Sequence, residues 1–265
     1  MKGNIIAVTL IILFFSIMLF LIQYSSLYPA YFYGISETLN ESENSNIKYE
    51  YLNNKKVKTI FIEGNLNKPI IIFFHGNYEL IDNNYDYFKE INEKTKFNVL
   101  MIEYNGYGNS EGYPSLKSTN KSIIEWLEKK QKFKEYIIWG KSIGSAHAYD
   151  FAMNNPIYSD KLIIQSGFLS PLNAITNNEN QAKLLSYLMF FDYEAKNKIN
   201  EIIKNNNIKN ILIIHGKEDL LFNIKYANET YNIFENKINT KKMFVNGGHN
   251  NIKIKEKELV EFLNL

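Results

Sequence analysis

Short runs of apolar residues alternate along most of the chain with stretches in which apolar residues recur at helical spacing. The short runs predict buried strands, and the intervening stretches predict helices that cover a sheet. The predicted strands are Lys56–Ile62, Pro69–Phe74, Asn98–Glu103, Tyr136–Trp139, Lys161–Gln165, Asn210–Ile214 and Lys242–Val245, with an antiparallel edge strand over Ile47–Leu52. The predicted helices are Tyr85–Lys94, Ser118–Lys130, Ile143–Asn154, Ile224–Phe234 and Ile254–Leu263. This order, without an internal repeat, predicts an α/β fold whose mostly parallel central sheet carries helices on both faces.

A long insertion, residues 169–207, interrupts the alternation between two predicted strands. Its most apolar run is Leu184–Phe191. This run predicts either a helix of the core or a helix of a small cap that faces a substrate. The pattern leaves both alternatives open.

The N-terminal stretch differs from the rest of the chain because Ile5–Ile22 is apolar except for Thr9 and Ser16. A helix of this length is just long enough to cross the hydrocarbon core of a bilayer. A cleaved signal peptide is the alternative, but its apolar region would be shorter and a small-x-small site would follow it, where this chain has Gln23–Tyr28. We therefore expect an uncleaved membrane anchor. The aromatic residues expected at the far membrane interface are Tyr24, Tyr28, Tyr31, Phe32 and Tyr33.

Charges on either side of the apolar stretch predict its orientation. Lys2 and the amino terminus precede the span, whereas acidic residues and no lysine follow it until Lys48. The positive-inside rule then leaves the N-terminus in the cytoplasm and the following domain on the other side. The predicted organisation is an anchor and interface segment over residues 1–33, a linker over 34–46 and one globular domain over 47–265.

Composition narrows the function classes. The predicted globular domain, residues 47–265, is of a size that forms one hydrophobic core. The 30 basic and 28 acidic residues leave a net charge of only +2. The chain therefore lacks the large excess of basic residues that would indicate nucleic-acid binding. The chain has no cysteine, which excludes disulfides, thiolate nucleophiles, cysteine metal sites and lipidation through cysteine.

Most of the thirteen glycines stand at or just beyond the carboxyl ends of predicted strands. They are Gly76, Gly106, Gly108, Gly112, Gly140, Gly144, Gly216, Gly247 and Gly248. In parallel sheets, ligands bind outside the carboxyl ends of the strands. We therefore expect the functional site at this edge.

The stretch Gly140-Lys-Ser142-Ile-Gly144 has the pattern Gly-x-Ser-x-Gly. It stands between a predicted buried strand and a helix, as a nucleophile elbow requires, whereas a structural turn of small residues is the plainer alternative. Such a turn is too sharp for side chains at the two glycine positions, and it exposes the serine Oγ above the sheet. The start of the following helix favours an oxyanion beside the backbone N–H of Ile143.

A serine nucleophile needs a base that is itself oriented by an acid. Of the four histidines, only His249 follows a suitable acid in the order that this architecture uses, serine, acid and histidine. The favoured acid is Asp219, after the strand that ends at Ile214, with its neighbour Glu218 as the first alternative. Asp192 and Glu194 are more distant alternatives. The remaining histidines are predicted to have structural roles, His75 and His215 in turns and His147 in helix packing.

A second oxyanion donor is expected from the segment Phe73–Asn77, where the backbone N–H of Asn77 follows Gly76 at a strand exit. An ordinary turn is the alternative for this segment. No metal site is predicted, since the histidines are scattered without a carboxylate at ligand spacing.

Five motifs in sequence order resemble the α/β-hydrolase fold superfamily, over nearly all of the chain from about residue 45. They are Phe74–Asn77, Tyr104–Gly112, Gly140–Ser145, His215–Asp219 and Gly247–Asn250. Together they look like the α/β-hydrolase-domain subgroup of membrane-anchored serine hydrolases, which includes protein depalmitoylases and single-span members. The resemblance implies Ser142 as nucleophile, Asp219 as acid, His249 as base, Asn77 and Ile143 as oxyanion donors, and no cofactor.

The expected function is that of a membrane-anchored serine hydrolase that cleaves an ester or thioester, or an amide, through an acyl-enzyme. The alternatives are a non-catalytic, membrane-tethered binding module of the same fold, and an acyltransferase or peptidase on the same triad. Depalmitoylating members are commonly held at the membrane through N-terminal cysteines, which this chain lacks, so it resembles the single-span members more. A lipid-like substrate is a further hypothesis, motivated by the anchor and the apolar run in the insertion.

Overall fold

A computed structural model describes residues 2–33, 49–52, 57–130, 133–172, 193 and 195–265. The predicted linker over 34–46 and the apolar run Leu184–Phe191 lie outside the described residues.

The centre of the molecule is an eight-stranded sheet with the order β1-β2-β4-β3-β5-β6-β7-β8. Its strands are β1 (Tyr49–Leu52), β2 (Val57–Ile62), β3 (Ile70–Phe74), β4 (Asn98–Ile102), β5 (Tyr136–Lys141), β6 (Lys161–Gln165), β7 (Asn210–Gly216) and β8 (Asn239–Val245). β2 pairs antiparallel with both β1 and β4, and every other pairing is parallel. The predicted, mostly parallel sheet with an antiparallel edge is confirmed.

Two helices, α1 (Lys2–Leu27) and α2 (Pro29–Tyr33), precede the sheet in the chain. The helices that cover its two faces are α3 (Tyr85–Thr95), α4 (Leu116–Lys129), α5 (Gly144–Asn154), α6 (Ala195–Asn205), α7 (Ile224–Phe234) and α8 (Glu256–Leu263). Alternate residues of each central strand point to opposite faces. On β3, Ile70, Ile72 and Phe74 pack with α4 to α7, whereas Ile71 and Phe73 pack with α3 and α8.

Two helices are absent from the sequence-based prediction, the short α2 and the longer α6. α6 lies within the predicted insertion and packs against α5. Its residues Ala195, Ile199 and Ile202 are buried at helical spacing. The C-terminal part of the insertion is therefore part of the layer that covers the sheet.

The apolar helix α1 leaves the domain with its side chains exposed over most of its length, and Phe15, for example, is 66% exposed. Ile6–Leu27 is long and apolar enough to cross a membrane. The end of the helix is attached to the domain, since the Tyr24 hydroxyl donates to the Pro114 carbonyl at 2.8 Å.

Tyr28, directly after α1, lies inside the domain and not at a membrane interface as the sequence predicts. Its side chain is fully buried, with its ring against those of Tyr104 and Tyr107. The hydroxyl contacts His147 Nε2 at 3.3 Å and also pairs with the Tyr193 hydroxyl. A tyrosine is buried at low cost when its hydroxyl has such partners, and its ring then contributes a large apolar area. The connection between anchor and domain is therefore a piece of the core.

We predict that Tyr28→Ala, in the full chain in detergent, lowers the free energy of unfolding by about 3–5 kcal/mol, because it leaves a cavity and removes a partner of two buried polar groups. Denaturant unfolding followed by the fluorescence of the buried Trp126 and Trp139 measures this change. Phe32→Ala is the matched control, since Phe32 follows in α2 but is 40% exposed, and it is expected to cost much less. Equal losses in the two variants would contradict the core role of Tyr28.

Candidate active site

The structure places Ser142 on a sharp turn between β5 and α5, at the carboxyl edge of the sheet. Its backbone has φ of 54°, a left-handed conformation that is rare for any residue other than glycine and costs energy. The turn is held because the Ser142 N–H donates to the Gln165 carbonyl at 2.9 Å. A Cβ at Gly140 would collide with the Gly144 carbonyl, and a Cβ at Gly144 with the Phe74 carbonyl. Both glycines are therefore required by close approach, as the sequence predicts.

Ser142, His249 and Asp219 form a continuous line of hydrogen bonds, although 107 residues separate the first two. His249 Nε2 lies 2.9 Å from Ser142 Oγ, and His249 Nδ1 lies 2.8 Å from Asp219 Oδ2. The Asp219 side chain is inaccessible to solvent, and that of His249 is 11% exposed. The Phe222 ring packs edge-on against the imidazole, with the ring centroids 5.2 Å apart. The three predicted residues are thus brought together, with His249 between Ser142 and Asp219.

The carboxylate of Asp219 is fixed on both of its oxygens. Oδ1 accepts the backbone N–H groups of Leu221 and Phe222 at 2.9 and 2.8 Å, while Oδ2 faces His249. Burial alone raises the pKa of this carboxyl group, but the hydrogen bonds from His249 and Phe222 outweigh it and lower the pKa. Asp219 is therefore ionised at neutral pH, which favours the tautomer of His249 with a proton on Nδ1 and a lone pair on Nε2.

The other candidates from the sequence have different partners. His75 pairs with the buried Glu103 at 2.9 Å, and His215 Nε2 donates to the Phe222 carbonyl at 2.8 Å. Burial lowers the pKa of His147 and of His215, so that both are neutral.

The alternative acids do not meet His249 in the described part of the chain. Glu218 accepts the backbone N–H of Gly247. Asp192 and Glu194 lie outside the described residues.

The backbone N–H groups of Asn77 and Ile143 have no acceptor among the described residues. Asn77, Ile143 and Ser142 line the same cavity, of about 450 Å³. Two free donors beside a serine hydroxyl are the arrangement that stabilises the oxyanion of a tetrahedral intermediate. Within the described residues, no group of three or more His, Asp and Glu side chains is arranged to hold a metal ion.

The sequence model of the α/β hydrolase fold family matches residues 69–204, about half of the chain. The chain belongs to the α/β hydrolase fold family.

Curated relatives of this α/β hydrolase are similar over part of their length. The α/β hydrolase domain-containing protein WAV2 of Arabidopsis thaliana is 32% identical over 40% of this chain and 36% of its own. Protein bem46 of Schizosaccharomyces pombe is 27% identical over 62% of this chain and 59% of its own, and lysophosphatidylserine lipase ABHD12 of Danio rerio is 25% identical over 62% of this chain and 47% of its own. The matches thus span about half of the length of these relatives.

Solved structures show the same fold at low sequence identity. An esterase of Pyrococcus furiosus superposes with a TM-score of 0.62 at 19% identity, over 87% of this chain and 95% of that one. An α/β hydrolase of Vibrio vulnificus superposes with a TM-score of 0.65 at 18% identity, over 86% of each chain. At this identity the likeness concerns the fold alone.

The cavity beside Ser142 is mainly apolar. Besides Asn77, Ser142 and Ile143, its lining consists of Ser26, Leu27, Phe168, Pro171, Leu220, Leu221 and Phe222. Ser26 and Leu27 are the last residues of α1, which the sequence analysis assigned to the anchor alone. Their part in the cavity has no signal in the sequence, because it depends on how α1 docks.

A second feature that the sequence does not predict is the Glu79 carboxylate, which contacts both the loop after β3 and the end of β5. Glu79 Oε1 accepts the backbone N–H of Gly76 at 2.5 Å, and Glu79 Oε2 pairs with Lys141 Nζ at 2.6 Å. Gly76 precedes Asn77, and Lys141 precedes Ser142. Glu79 thus links the turn that carries Asn77 to the turn that carries Ser142.

Glu79 is held in its ionised form. Burial alone raises the pKa of this carboxyl group, but the Lys141 ammonium and the Gly76 N–H more than offset burial and lower the pKa below its ordinary value of 4.5. A carboxyl group with a lowered folded-state pKa stabilises the fold above its unfolded-state pKa, and this stabilisation is lost as the pH falls through the folded-state pKa.

We therefore predict that Glu79→Gln costs about 2 kcal/mol of unfolding free energy at pH 7, and that the difference from wild type shrinks as the pH is lowered through 4.5 and below. Denaturant unfolding of both proteins across this pH range measures it. Glu90→Gln is the matched control, because Glu90 also pairs with a lysine but its side chain is 60% exposed, and it is expected to change stability little at any pH. A pH-independent loss in Glu79→Gln would contradict the charge-based role.

Proposed function

We propose that this protein is a membrane-anchored serine hydrolase that cleaves an ester or thioester through an acyl-enzyme. Membership of the α/β hydrolase fold family and the lipase among its curated relatives support hydrolase chemistry. The observation that carries the serine mechanism is the line from Ser142 Oγ through His249 to Asp219, with distances of 2.9 and 2.8 Å.

In the proposed acylation step, Ser142 Oγ attacks the acyl carbonyl carbon while His249 Nε2 accepts the hydroxyl proton. The negative charge that develops on the carbonyl oxygen is stabilised by the N–H groups of Ile143 and Asn77, each worth about 3 kcal/mol of barrier. The ionised Asp219 stabilises the imidazolium that forms. His249 then donates its proton to the leaving oxygen or sulfur, and the acyl group remains bonded to Ser142.

In the proposed deacylation step, water takes the place of the leaving group. His249 Nε2 accepts a proton from water, the resulting hydroxide attacks the acyl carbonyl, and the same two N–H groups hold the second oxyanion. Collapse of this intermediate returns the proton to Ser142 Oγ and releases the carboxylic acid. No step requires a metal or a cofactor.

Membrane attachment belongs to the same proposal. α1 acts as an uncleaved, single-span anchor, supported by its exposed apolar surface and by its length. The charge bias at Lys2 supports a catalytic domain on the non-cytoplasmic side. The globular unit then consists of residues 47–265 together with the buried connection at Tyr28.

The apolar cavity supports an acyl chain as the part of the substrate that is bound, and the zebrafish relative is named as a lipase of lysophosphatidylserine. Acyl transfer and peptide hydrolysis use the same three residues, and a non-catalytic binding module uses none of their chemistry. A nucleophilic Ser142 is expected of the enzymes and not of the binding module, so its reactivity distinguishes them.

We predict that a fluorophosphonate probe labels the full chain in detergent and that Ser142→Ala abolishes labelling. His249→Ala is expected to reduce labelling sharply, because the hydroxyl then has no base. Asp219→Asn is expected to lower kcat for a soluble ester by about 10⁴, because the wrong tautomer of His249 is favoured. In-gel fluorescence and ester hydrolysis measure these changes.

Ser145→Ala is the matched control, since Ser145 is the second residue of α5, is fully buried and is not one of the hydrogen-bond partners of His249 in the described chain, and it is expected to retain labelling. Absence of labelling in the folded wild-type protein would sink the hydrolase proposal in favour of a binding module. Labelling that survives in Ser142→Ala would show that a residue other than Ser142 is the nucleophile.

A further inference from the structure

The last turn of α1 is a wall of the catalytic cavity. Ser26 and Leu27 line it together with Ser142. The Asn77 side-chain amide donates to the Ser26 carbonyl at 3.5 Å, and the Tyr107 hydroxyl donates to the Asn77 carbonyl at 2.9 Å. The end of the anchor is thus attached to the loop that carries an oxyanion donor.

The length of α1 sets where this wall lies relative to a bilayer. The apolar span Ile6–Leu27 has 22 residues, which at 1.5 Å per residue is about 33 Å of helix. The hydrocarbon core of a bilayer is about 30 Å thick. When α1 spans the bilayer, Ser26 and Leu27 therefore lie at the level of the lipid headgroups, and the cavity lies there with them.

Exposed apolar side chains lie at the cavity or next to it in the chain. We call Tyr78, Leu220 and Leu221 the mouth rim. Leu220 is 99% exposed, Leu221 is 61% exposed and Tyr78 is 64% exposed. Tyr78 follows Asn77 directly, and both leucines line the cavity.

Hydrogen bonds to Asp219 fix the backbone of the loop that carries the two leucines. The leucines follow Asp219, whose Oδ1 accepts the backbone N–H of Leu221 and that of Phe222. The backbone of this loop is therefore fixed by the proposed catalytic acid while the side chains face solvent. Full burial of one leucine side chain is worth about 1.5–3 kcal/mol, so its exposure in water is unfavourable unless another phase covers it.

We propose that the mouth rim is a membrane-binding surface, inserted among the lipids beside α1, and that the cavity receives its ester directly from the bilayer. This inference rests on the proposed function for the chemistry and on α1 spanning the membrane for the placement. A bilayer is favoured over a protein as the occupant because the anchor ends at the same cavity. The ester carbonyl of an amphiphile lies near the headgroups, at the level of Ser142, and its acyl chain enters the cavity past Leu27 and Phe168.

The test uses the full chain, whose lack of cysteine allows a single labelling site to be introduced. Leu220→Cys carries a fluorophore at the mouth rim. Ile157→Cys is the matched control, since Ile157 is an aliphatic residue that is 72% exposed. It lies in the turn Pro156–Tyr158 between α5 and β6, at the opposite edge of the sheet.

Both labelled proteins are reconstituted in phosphatidylcholine vesicles with and without nitroxide-bearing lipids. We expect strong quenching by the nitroxide lipids at Leu220→Cys and little at Ile157→Cys. Fluorophosphonate labelling of the wild-type chain in the same vesicles reports the chemistry separately.

Equal, weak quenching at both positions overturns the inference even when the wild-type chain is labelled by the probe. A shielded fluorophore at Leu220→Cys that nitroxide lipids do not quench also overturns it, and assigns the rim to a protein partner. Strong quenching at Leu220→Cys with no probe labelling of the wild type supports the membrane-binding surface while the proposed hydrolase function fails.

Discussion

The close contact between Gly144 and the Phe74 carbonyl is the constraint on which the site depends. β3 and β5 are neighbours, with Phe74 opposite Gly140, so the chain leaving β5 must turn within the space beside the end of β3. Only glycines permit this approach, and the turn forces Ser142 into the left-handed region. The serine hydroxyl is thereby presented above the sheet edge, next to the loop that follows β3.

The remaining chemistry follows from the order of the strands. Asp219 follows β7 and His249 follows β8, and these two strands are paired in parallel from Asn210 to Gly216. Their carboxyl ends therefore bring Asp219 and His249, the proposed acid and base, to the same edge as Ser142. Glu79 and Lys141 complete this arrangement, because their ion pair ties the loop after β3 to the elbow after β5.

The apolar helix α1 is structurally continuous with the α/β hydrolase domain. Tyr28 is buried among aromatic residues of the domain, and Leu27 is at once the end of an apolar helix and part of the cavity wall. A helix that only tethered the domain would have no need of either contact. In the proposed enzyme, the position of the membrane is thus coupled to the position of the cavity, which relates membrane attachment to substrate access.

The sequence by itself determined the strands, most of the helices and the fold class, because these elements and the Gly140-to-Gly144 turn have local signatures in apolar spacing and glycine placement. It also singled out Ser142, Asp219 and His249, since each follows a strand end in an order typical of this architecture. Only the tertiary structure decided the burial of Tyr28, the pairing of Glu79 with Lys141, and the packing of α6 on α5. These depend on contacts between segments distant along the chain, and local patterns of polarity do not specify which segments meet. Tyrosine suits a membrane interface and a hydrogen-bonded core equally well, so its location follows from the available partners and not from its residue type.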